Sequence, residues 1–226
     1  MSPFDRSSFH AGARASLPVL LGTVPFGLIT GVAMVASGIA PPAAMAMSVI
    51  VFAGASMIAS AQLLASGAPA LMVVIATVFI NLRFMMYSAS LRPHLIDAPL
   101  RWRLLAGYLV ADGAYGLSLG RFAEARENAG KLGFFLGAGV AIWVTWQAAV
   151  LAGILIGAGL PASWRLEFAA PLAFIAMSVP LLRDRAMVAA ALAAGVTVVL
   201  AQDLPLRLSI PLAALTGIAV GLAVRR

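Results

Sequence analysis

Two charged residues lie inside apolar stretches of this sequence, and their types suggest that they bind each other or a charged solute. Arg83 stands in N-L-R-F-M-M-Y, with Asn81 before it and Tyr87 one helical turn after it. Asp112 stands in L-V-A-D-G-A-Y, with Tyr108 one turn before it and Tyr115 three residues after it, all on one face of a predicted helix. The planar arginine fork suits a carboxylate, and an aspartate suits an ammonium group or a proton. The static alternatives are an Arg83–Asp112 ion pair and an arginine that reaches toward the membrane surface.

A proline between glycines interrupts the first apolar stretch. The segment G-T-V-P-F-G-L-I-T-G contains Pro25, which cannot donate a backbone hydrogen bond, and Gly27 beside it. Unwound backbone at this position would expose N–H groups that can hold a carboxylate. The alternative is a kink in a continuous helix, with Gly27 and Gly31 packing against a neighbouring helix.

Three further side chains are candidates for an internal site. Gln62 ends the segment F-A-G-A-S-M-I-A-S-A-Q, where a buried amide needs hydrogen-bond partners. Trp143 and Trp146 lie in W-V-T-W-Q, near the middle of a long apolar stretch. Tryptophans usually mark the membrane interface, but this central position also allows an apolar wall that accepts a solute side chain.

The composition excludes most enzyme classes. The chain contains no cysteine, two histidines and one lysine, Lys131. It contains no G-x-x-x-x-G-K-[ST], H-E-x-x-H or G-x-S-x-G segment. We therefore predict that the chain is not an enzyme and binds no metal or other cofactor. The net charge of +7 is spread between apolar stretches, which does not indicate nucleic-acid binding.

Membrane-spanning helices must position these residues. Charged residues make up 10% of the chain, against roughly 25% in a soluble domain, and the mean hydropathy is +1.02. The predicted fold class is all-α, a polytopic transmembrane helix bundle. About eight stretches approach the roughly 20 apolar residues of a span, namely 15–37, 43–66, 69–91, 104–120, 132–158, 168–182, 186–202 and 208–224. The sixth to eighth are short and are punctuated by Pro171, Pro180, Pro205 and Pro211, so a broken or re-entrant element is expected among them.

The distribution of basic residues predicts the orientation. With eight spans and a cytoplasmic N-terminus, nine basic residues lie inside and five outside. If residues 43–66 do not cross, the count becomes seven on each side and the bias vanishes. The predicted organisation is an N-terminal cytoplasmic segment, residues 1–14, followed by a single integral membrane domain, residues 15–226. In this arrangement the basic loop 92–103 lies outside, although basic loops are usually cytoplasmic.

The order and spacing of several segments resemble the AzlC family, the large subunit of bacterial branched-chain amino acid exporters. These segments are V-P-F-G-L-I-T-G at 24–31, F-A-G-A-S at 52–56, N-L-R-F-M-M-Y at 81–87, D-G-A-Y at 112–115, P-L-A-F at 171–174 and V-P-L-L-R-D-R at 179–185. The resemblance implies export of valine, isoleucine, leucine or a similar amino acid across a bacterial inner membrane. It also implies a small AzlD-type membrane subunit as partner. Departures from the family pattern are Phe84, where histidine is common, Gly113, where glutamate is usual, and Ser56 and Met57, where alanine and glutamine are frequent.

The leading hypothesis is an amino acid exporter that works by alternating access. Arg83 and the Pro25 break would bind the substrate carboxylate, and Asp112 would meet its ammonium group or a proton. Trp143 and Trp146 would contact the apolar side chain. The alternatives are a transporter of a different amino-acid-like solute and a non-transporting membrane subunit that only holds a partner in place.

Overall fold

The computed structural model describes residues 5–124, 130–159, 184–202 and 209–225, and the regular structure within these ranges is helical. The described helices are α1 Arg6–Ala15, α2 Leu17–Ala36, α3 Pro41–Val51, α4 Gly54–Ala65, α5 Ala70–Leu95, α6 Leu100–Tyr108, α7 Asp112–Glu124, α8 Lys131–Gly159, α9 Arg185–Leu200 and α10 Ser209–Val224. The predicted fold class, an all-α membrane helix bundle, is confirmed.

Three of the described helices are long and apolar enough to cross a membrane. They are α2, α5 and α8, with 20, 26 and 29 residues. At a rise of about 1.5 Å per residue they measure about 30, 39 and 44 Å, against a hydrocarbon core of about 30 Å. The sixth predicted span, 168–182, with Pro171 and Pro180, lies outside the described residues. The count of eight spans therefore stays a prediction.

The second predicted span, 43–66, consists of two helices rather than one. α3 ends at Val51, Phe52 adopts a left-handed conformation with φ 45° and ψ 44°, and Ala53 is extended. The two helices have 11 and 12 residues, which corresponds to about 17 Å each. The break therefore lies near the middle of the bilayer if the pair crosses it.

The start of α4 is closely packed against two other helices. α4 begins at Gly54, and a Cβ atom there would meet the rings of Phe26, from α2, and Trp146, from α8. A side chain at this position would require these rings to move. The residues next to the break therefore contact helices that are distant in sequence.

The fourth predicted span, 104–120, is also broken. α6 ends at Tyr108, residues 109–111 are not helical, and α7 begins at Asp112. The prediction of one helix here was wrong, and so was the placement of Tyr108 on one helix face with Asp112 and Tyr115. Like the second segment, this one is divided near its middle into two short helices.

The predicted backbone break at Pro25 was wrong. α2 runs without interruption from Leu17 to Ala36 with Pro25 inside it. Proline removes one hydrogen bond from the helix, and membrane helices tolerate that loss when their neighbours hold them. Here Gly27 and Gly31 press α2 against α8, so the contact favours a continuous helix.

Glycines bring α2 and α8 into close contact. A Cβ atom at Gly31 would overlap the carbonyl oxygen of Val150, and one at Gly153 would overlap that of Leu28. At Gly27 a Cβ atom would lie 2.7 Å from the Cβ of Ala149. Both helices contribute glycines to the contact. Their backbones therefore pack closely, as they do where small residues join two membrane helices.

The N-terminal residues form a helix that packs on α8. Asp5 caps α1 by accepting hydrogen bonds from the backbone and hydroxyl groups of the two serines that follow Arg6. These bonds lower the pKa of Asp5 to about 2. A Cβ atom at Gly12 would overlap the carbonyl oxygen of Phe134, which shows how closely α1 lies against α8. The predicted cytoplasmic position of residues 1–14 stays a prediction.

The chain divides into two compact units, Met1–Pro171 and Leu172–Arg226. In the second unit α9 and α10 pack side by side, at the predicted seventh and eighth spans. A hydrogen bond of 2.9 Å joins the hydroxyls of Thr197 and Thr216, and a Cβ atom at Gly217 would lie 3.1 Å from the carbonyl oxygen of Ala190. The prediction of one integral membrane domain over 15–226 stays a prediction.

Candidate functional site

An ion pair at the middle of α5 forms the centre of the candidate site. The Nη1 atom of Arg83 lies 3.0 Å from the Oδ1 atom of Asp112, and the two side chains are 31% and 54% exposed. Arg83 stands midway along α5, about 18 Å from either end. Asp112 is the first residue of α7, where the positive end of the helix dipole also favours its carboxylate. The Arg83–Asp112 ion pair, one of the alternatives that the sequence left open, is therefore present in the structure.

Two tyrosines complete this charged centre. The hydroxyl of Tyr87 donates a 2.9 Å hydrogen bond to Oδ1 of Asp112. The ring of Tyr87 stacks on that of Tyr115, with centroids 4.1 Å apart and an angle of 14° between the planes. The hydroxyl of Tyr115 donates to Ser90, 3.4 Å away. Arg83, Tyr87, Asp112 and Tyr115 therefore meet as the sequence predicted, through the approach of α5 to α7.

Three buried polar atoms on α5 and α7 have no hydrogen-bond partner among the described residues. They are Oδ1 of Asn81, Nε of Arg83 and Oγ of Ser118. An unpaired polar atom in an apolar environment costs about 1–3 kcal/mol. The Nε–H group of Arg83 therefore donates to no partner in the described part of the chain while Nη1 is paired with Asp112. Phe84 lies beside it, with the guanidinium carbon 5.0 Å from the ring centroid.

A second polar cluster joins α3 to α8 and is fully paired. The hydroxyl of Ser48 accepts a 3.0 Å hydrogen bond from Nε1 of Trp146 and donates a 2.8 Å bond to Oε1 of Gln147. Nε2 of Gln147 donates back to the carbonyl oxygen of Ser48 at 3.2 Å. Trp146 is only 5% exposed, so within this structure it fixes α3 against α8. Ser48 and Gln147 lie so far apart in the chain that no local pattern could have paired them.

Tyr108 connects the two helix breaks. Its hydroxyl accepts a 2.8 Å hydrogen bond from Nε1 of Trp143 and donates a 2.6 Å bond to the carbonyl oxygen of Val49. In a continuous helix that carbonyl would accept from the N–H of Ala53, which lies beyond the end of α3. The sequence named Tyr108 only as a neighbour of Asp112, and its role across the breaks was missed.

Three predicted site residues lie away from the Arg83–Asp112 pair. Pro25 is on the exposed side of α2, Gly27 is buried against α8, and Gln62 is exposed on α4. Trp143 is half-buried and bonds Tyr108, so it belongs to the contact between the breaks. Within the described ranges no group of three His, Cys, Asp or Glu side chains could hold a metal ion.

The helices and the charged centre define a class of protein: an integral membrane protein with an ion pair midway along a membrane-spanning helix. The model of the AzlC protein family matches residues 18–160. This range contains α2 to α8 with both helix breaks. The chain belongs to the AzlC family, as the sequence resemblance indicated.

Curated relatives are also membrane proteins. The chain is 26% identical over 160 residues to inner membrane protein YgaZ of Escherichia coli, covering 68% of this chain and 63% of that protein. It is 26% identical over 152 residues to an uncharacterized membrane protein of Archaeoglobus fulgidus, covering 67% of this chain and 64% of that protein. The matches thus span less than two thirds of the relatives' own lengths. No solved structure matches the chain significantly.

Proposed function

We propose that this chain is the large subunit of an exporter that carries branched-chain or similar hydrophobic amino acids across a bacterial inner membrane. The observation that carries the proposal is the half-exposed Arg83–Asp112 pair midway along α5. Charged residues at that depth are costly and usually mark a transport pathway. The family match and the membrane-protein relatives support a transporter rather than an enzyme.

An ion pair suits a zwitterion because it carries the same two charges as the solute. In the empty site Arg83 and Asp112 neutralise each other. An entering amino acid can place its carboxylate on Arg83 and its ammonium group on Asp112, so that each charge exchanges one partner for another. No charge is left unpaired in either state, which keeps the electrostatic cost of binding low.

The surroundings of the pair suit an apolar solute side chain. Phe84, Tyr87 and Tyr115 place aromatic rings next to the guanidinium and the carboxylate. Tyr87 already donates to Asp112 and can keep that bond when the ammonium group arrives. We propose that Trp143 forms part of an apolar wall that contacts the solute side chain. The buried Trp146 packs behind this wall.

The two helix breaks supply places where the pathway can change shape. Short helices that meet near the middle of a membrane are typical of transporters that work by alternating access. The loop 109–111 leads directly into Asp112, so a movement of α6 against α7 would change the distance between Asp112 and Arg83. The predicted carboxylate site at Pro25 is not part of this proposal, since α2 is continuous there.

A small AzlD-like membrane subunit is the proposed partner, and the lipid bilayer covers the remaining apolar surface. Of the three long helices, α5 has the smallest buried share. Its apolar residues Phe79, Met85 and Met86 are each about two-thirds exposed. The N-terminus is proposed to be cytoplasmic, in accordance with the count of basic residues.

A different amino-acid-like cargo is the second candidate. Phe84 touches Arg83 and stands where a polar residue is common in the family. Loss of that polar group next to the arginine would favour a more apolar solute or a different coupling ion.

The test is efflux of labelled valine, leucine, isoleucine and methionine from proteoliposomes that contain the chain together with its small partner. Efflux above empty liposomes, with loss in the Arg83→Gln variant, is the expected result. Arg101→Gln is the matched control, because Arg101 lies outside the site and should leave efflux unchanged. Efflux of other amino-acid-like solutes alone would favour the second candidate. No efflux of any solute from a folded complex would support the non-transporting subunit.

A further inference from the structure

A second basic site lies where the end of α5 meets the beginning of α6, apart from the charged centre. Arg92 is in the last turn of α5 and Arg103 in the first turns of α6, and both line one groove. Neither side chain makes an ion pair or hydrogen bond within the described part of the chain. Asp97, the acidic residue of the turn between these helices, pairs with neither of them. Two positive charges are thus left unneutralised at one end of the groove.

The rest of the groove is lined mainly by apolar side chains. From the two arginines it passes Leu95, Leu100 and Leu104 and reaches Gly107 and Val110, with Phe135 at its base. Leu100 and Leu104 are 64% and 66% exposed, which suits contact with lipid. Its volume is about 260 Å³, below the roughly 300–1,000 Å³ of a pocket that encloses a small ligand. The groove has room for a length of alkyl chain rather than for an enclosed solute.

We propose that this groove binds an anionic phospholipid, with the phosphate on Arg92 and Arg103 and one acyl chain along α6. Charge complementarity selects the occupant, because a phosphate neutralises two arginines and an alkyl chain fills the apolar remainder. The N-terminus of α6 lies at the same end and adds the positive end of a helix dipole. The proposal also accounts for a basic loop 92–103 on a side where the distribution of charge predicts few basic residues.

The groove offers matched variants for a test. Arg101 lies in the same turn of α6 but does not line the groove, and its guanidinium lies over the ring of Trp102. Gly107 lines the groove, and a Cβ atom added there meets nothing within 4 Å. Arg92→Gln with Arg103→Gln removes the phosphate ligands, Gly107→Leu fills the apolar part, and Arg101→Gln removes an equal charge nearby.

The experiment is native mass spectrometry of the full chain in mild detergent, titrated with phosphatidylglycerol and, in parallel, phosphatidylcholine. Wild type and Arg101→Gln should retain phosphatidylglycerol in preference to phosphatidylcholine. Each basic side chain at an anionic surface is worth about fivefold in binding, so the double variant should bind about thirtyfold more weakly. Gly107→Leu should bind weakly too, while gel filtration shows that both remain folded.

Three outcomes would overturn the proposal. Equal binding in all four proteins would show that no specific site exists. Equal losses in Arg101→Gln and the double variant would show diffuse attraction to charge. Complete displacement of the lipid by inorganic phosphate or by leucine at millimolar concentration would show that the groove takes a soluble anion or the transported solute. The lipid assay requires no transport, so its result is independent of the proposed function.

Discussion

The hydroxyl of Tyr108 lies 2.6 Å from the carbonyl oxygen of Val49, and this hydrogen bond joins two helices that both end in mid-segment. Tyr108 is the last residue of α6, and Val49 is in the last turn of α3. The bond supplies a partner to a carbonyl group that the end of α3 leaves without one. It therefore couples the positions of the two breaks, next to the charged centre.

Replacing Tyr108 with phenylalanine should loosen this connection. The carbonyl of Val49 and the N–H of Trp143 would lose their partner, at a cost of about 1–3 kcal/mol in the free energy of unfolding. Transport should fall as well, because the breaks would no longer move together. Thermal unfolding in detergent and efflux from proteoliposomes measure the two effects. Trp143→Phe is the comparison, since it removes one bond and keeps the one to Val49, so its effect should be smaller. Equal effects of the two variants would contradict the proposed coupling.

Neutralising both Arg83 and Asp112 should remove solute binding while leaving the protein folded. In Arg83→Gln with Asp112→Asn both charges are removed together, so no charge is left without a partner and the fold should be kept. We expect a folded protein with an unfolding temperature near that of wild type and with efflux lowered by roughly 10-fold or more, since a hydrogen bond to a charged group is worth about 1.5–3 kcal/mol. Retained efflux in this double variant would show that the pair is only structural.

The contact between α2 and α8 should tolerate no added methyl group. In Gly31→Ala the new Cβ would overlap backbone atoms of α8, and overpacking of this kind costs typically 1–3 kcal/mol. Gly22→Ala is the matched change in the same helix, because its Cβ meets nothing within 4 Å. It should be neutral or stabilising by up to about 1 kcal/mol. Similar unfolding temperatures for the two variants would show that the glycine contact does not contribute.

Pro25→Ala should be harmless. The residue is exposed on a continuous helix, and alanine restores a backbone hydrogen bond that proline cannot make. We expect an unfolding temperature equal to or above that of wild type, and unchanged efflux. A loss of efflux with normal folding would restore the hypothesis that unwound backbone at Pro25 binds the solute.

The contact between Arg83 and Asp112 could be predicted from the sequence. A charged side chain within an apolar span has very few residues of opposite charge with which to pair. The two residues are isolated charges in stretches that a membrane must cover, and each needs the other or a ligand. The tyrosines followed from helical spacing within their own segments. The all-α fold followed in the same way from composition and the lengths of the apolar stretches.

The helix breaks could not be predicted, because contacts between distant segments decide them. Local rules make Pro25 a helix breaker, but α2 continues through it where Gly27 and Gly31 pack on α8. Phe52 has no such local tendency, yet it is left-handed, and Gly54 close after it packs against two aromatic rings of distant helices. The partnership of Ser48 with Gln147 likewise depends on tertiary packing.

The glycine contacts of α2 with α8 also set an order of events during synthesis. Nearly a hundred residues separate the end of α2 at Ala36 from the start of α8 at Lys131. A ribosome adding roughly 5–20 residues per second takes about 5–20 s to cross that interval. Throughout this time α1 and α2 lack the surface of α8 on which both pack, so their close contacts can form only after α8 has been made.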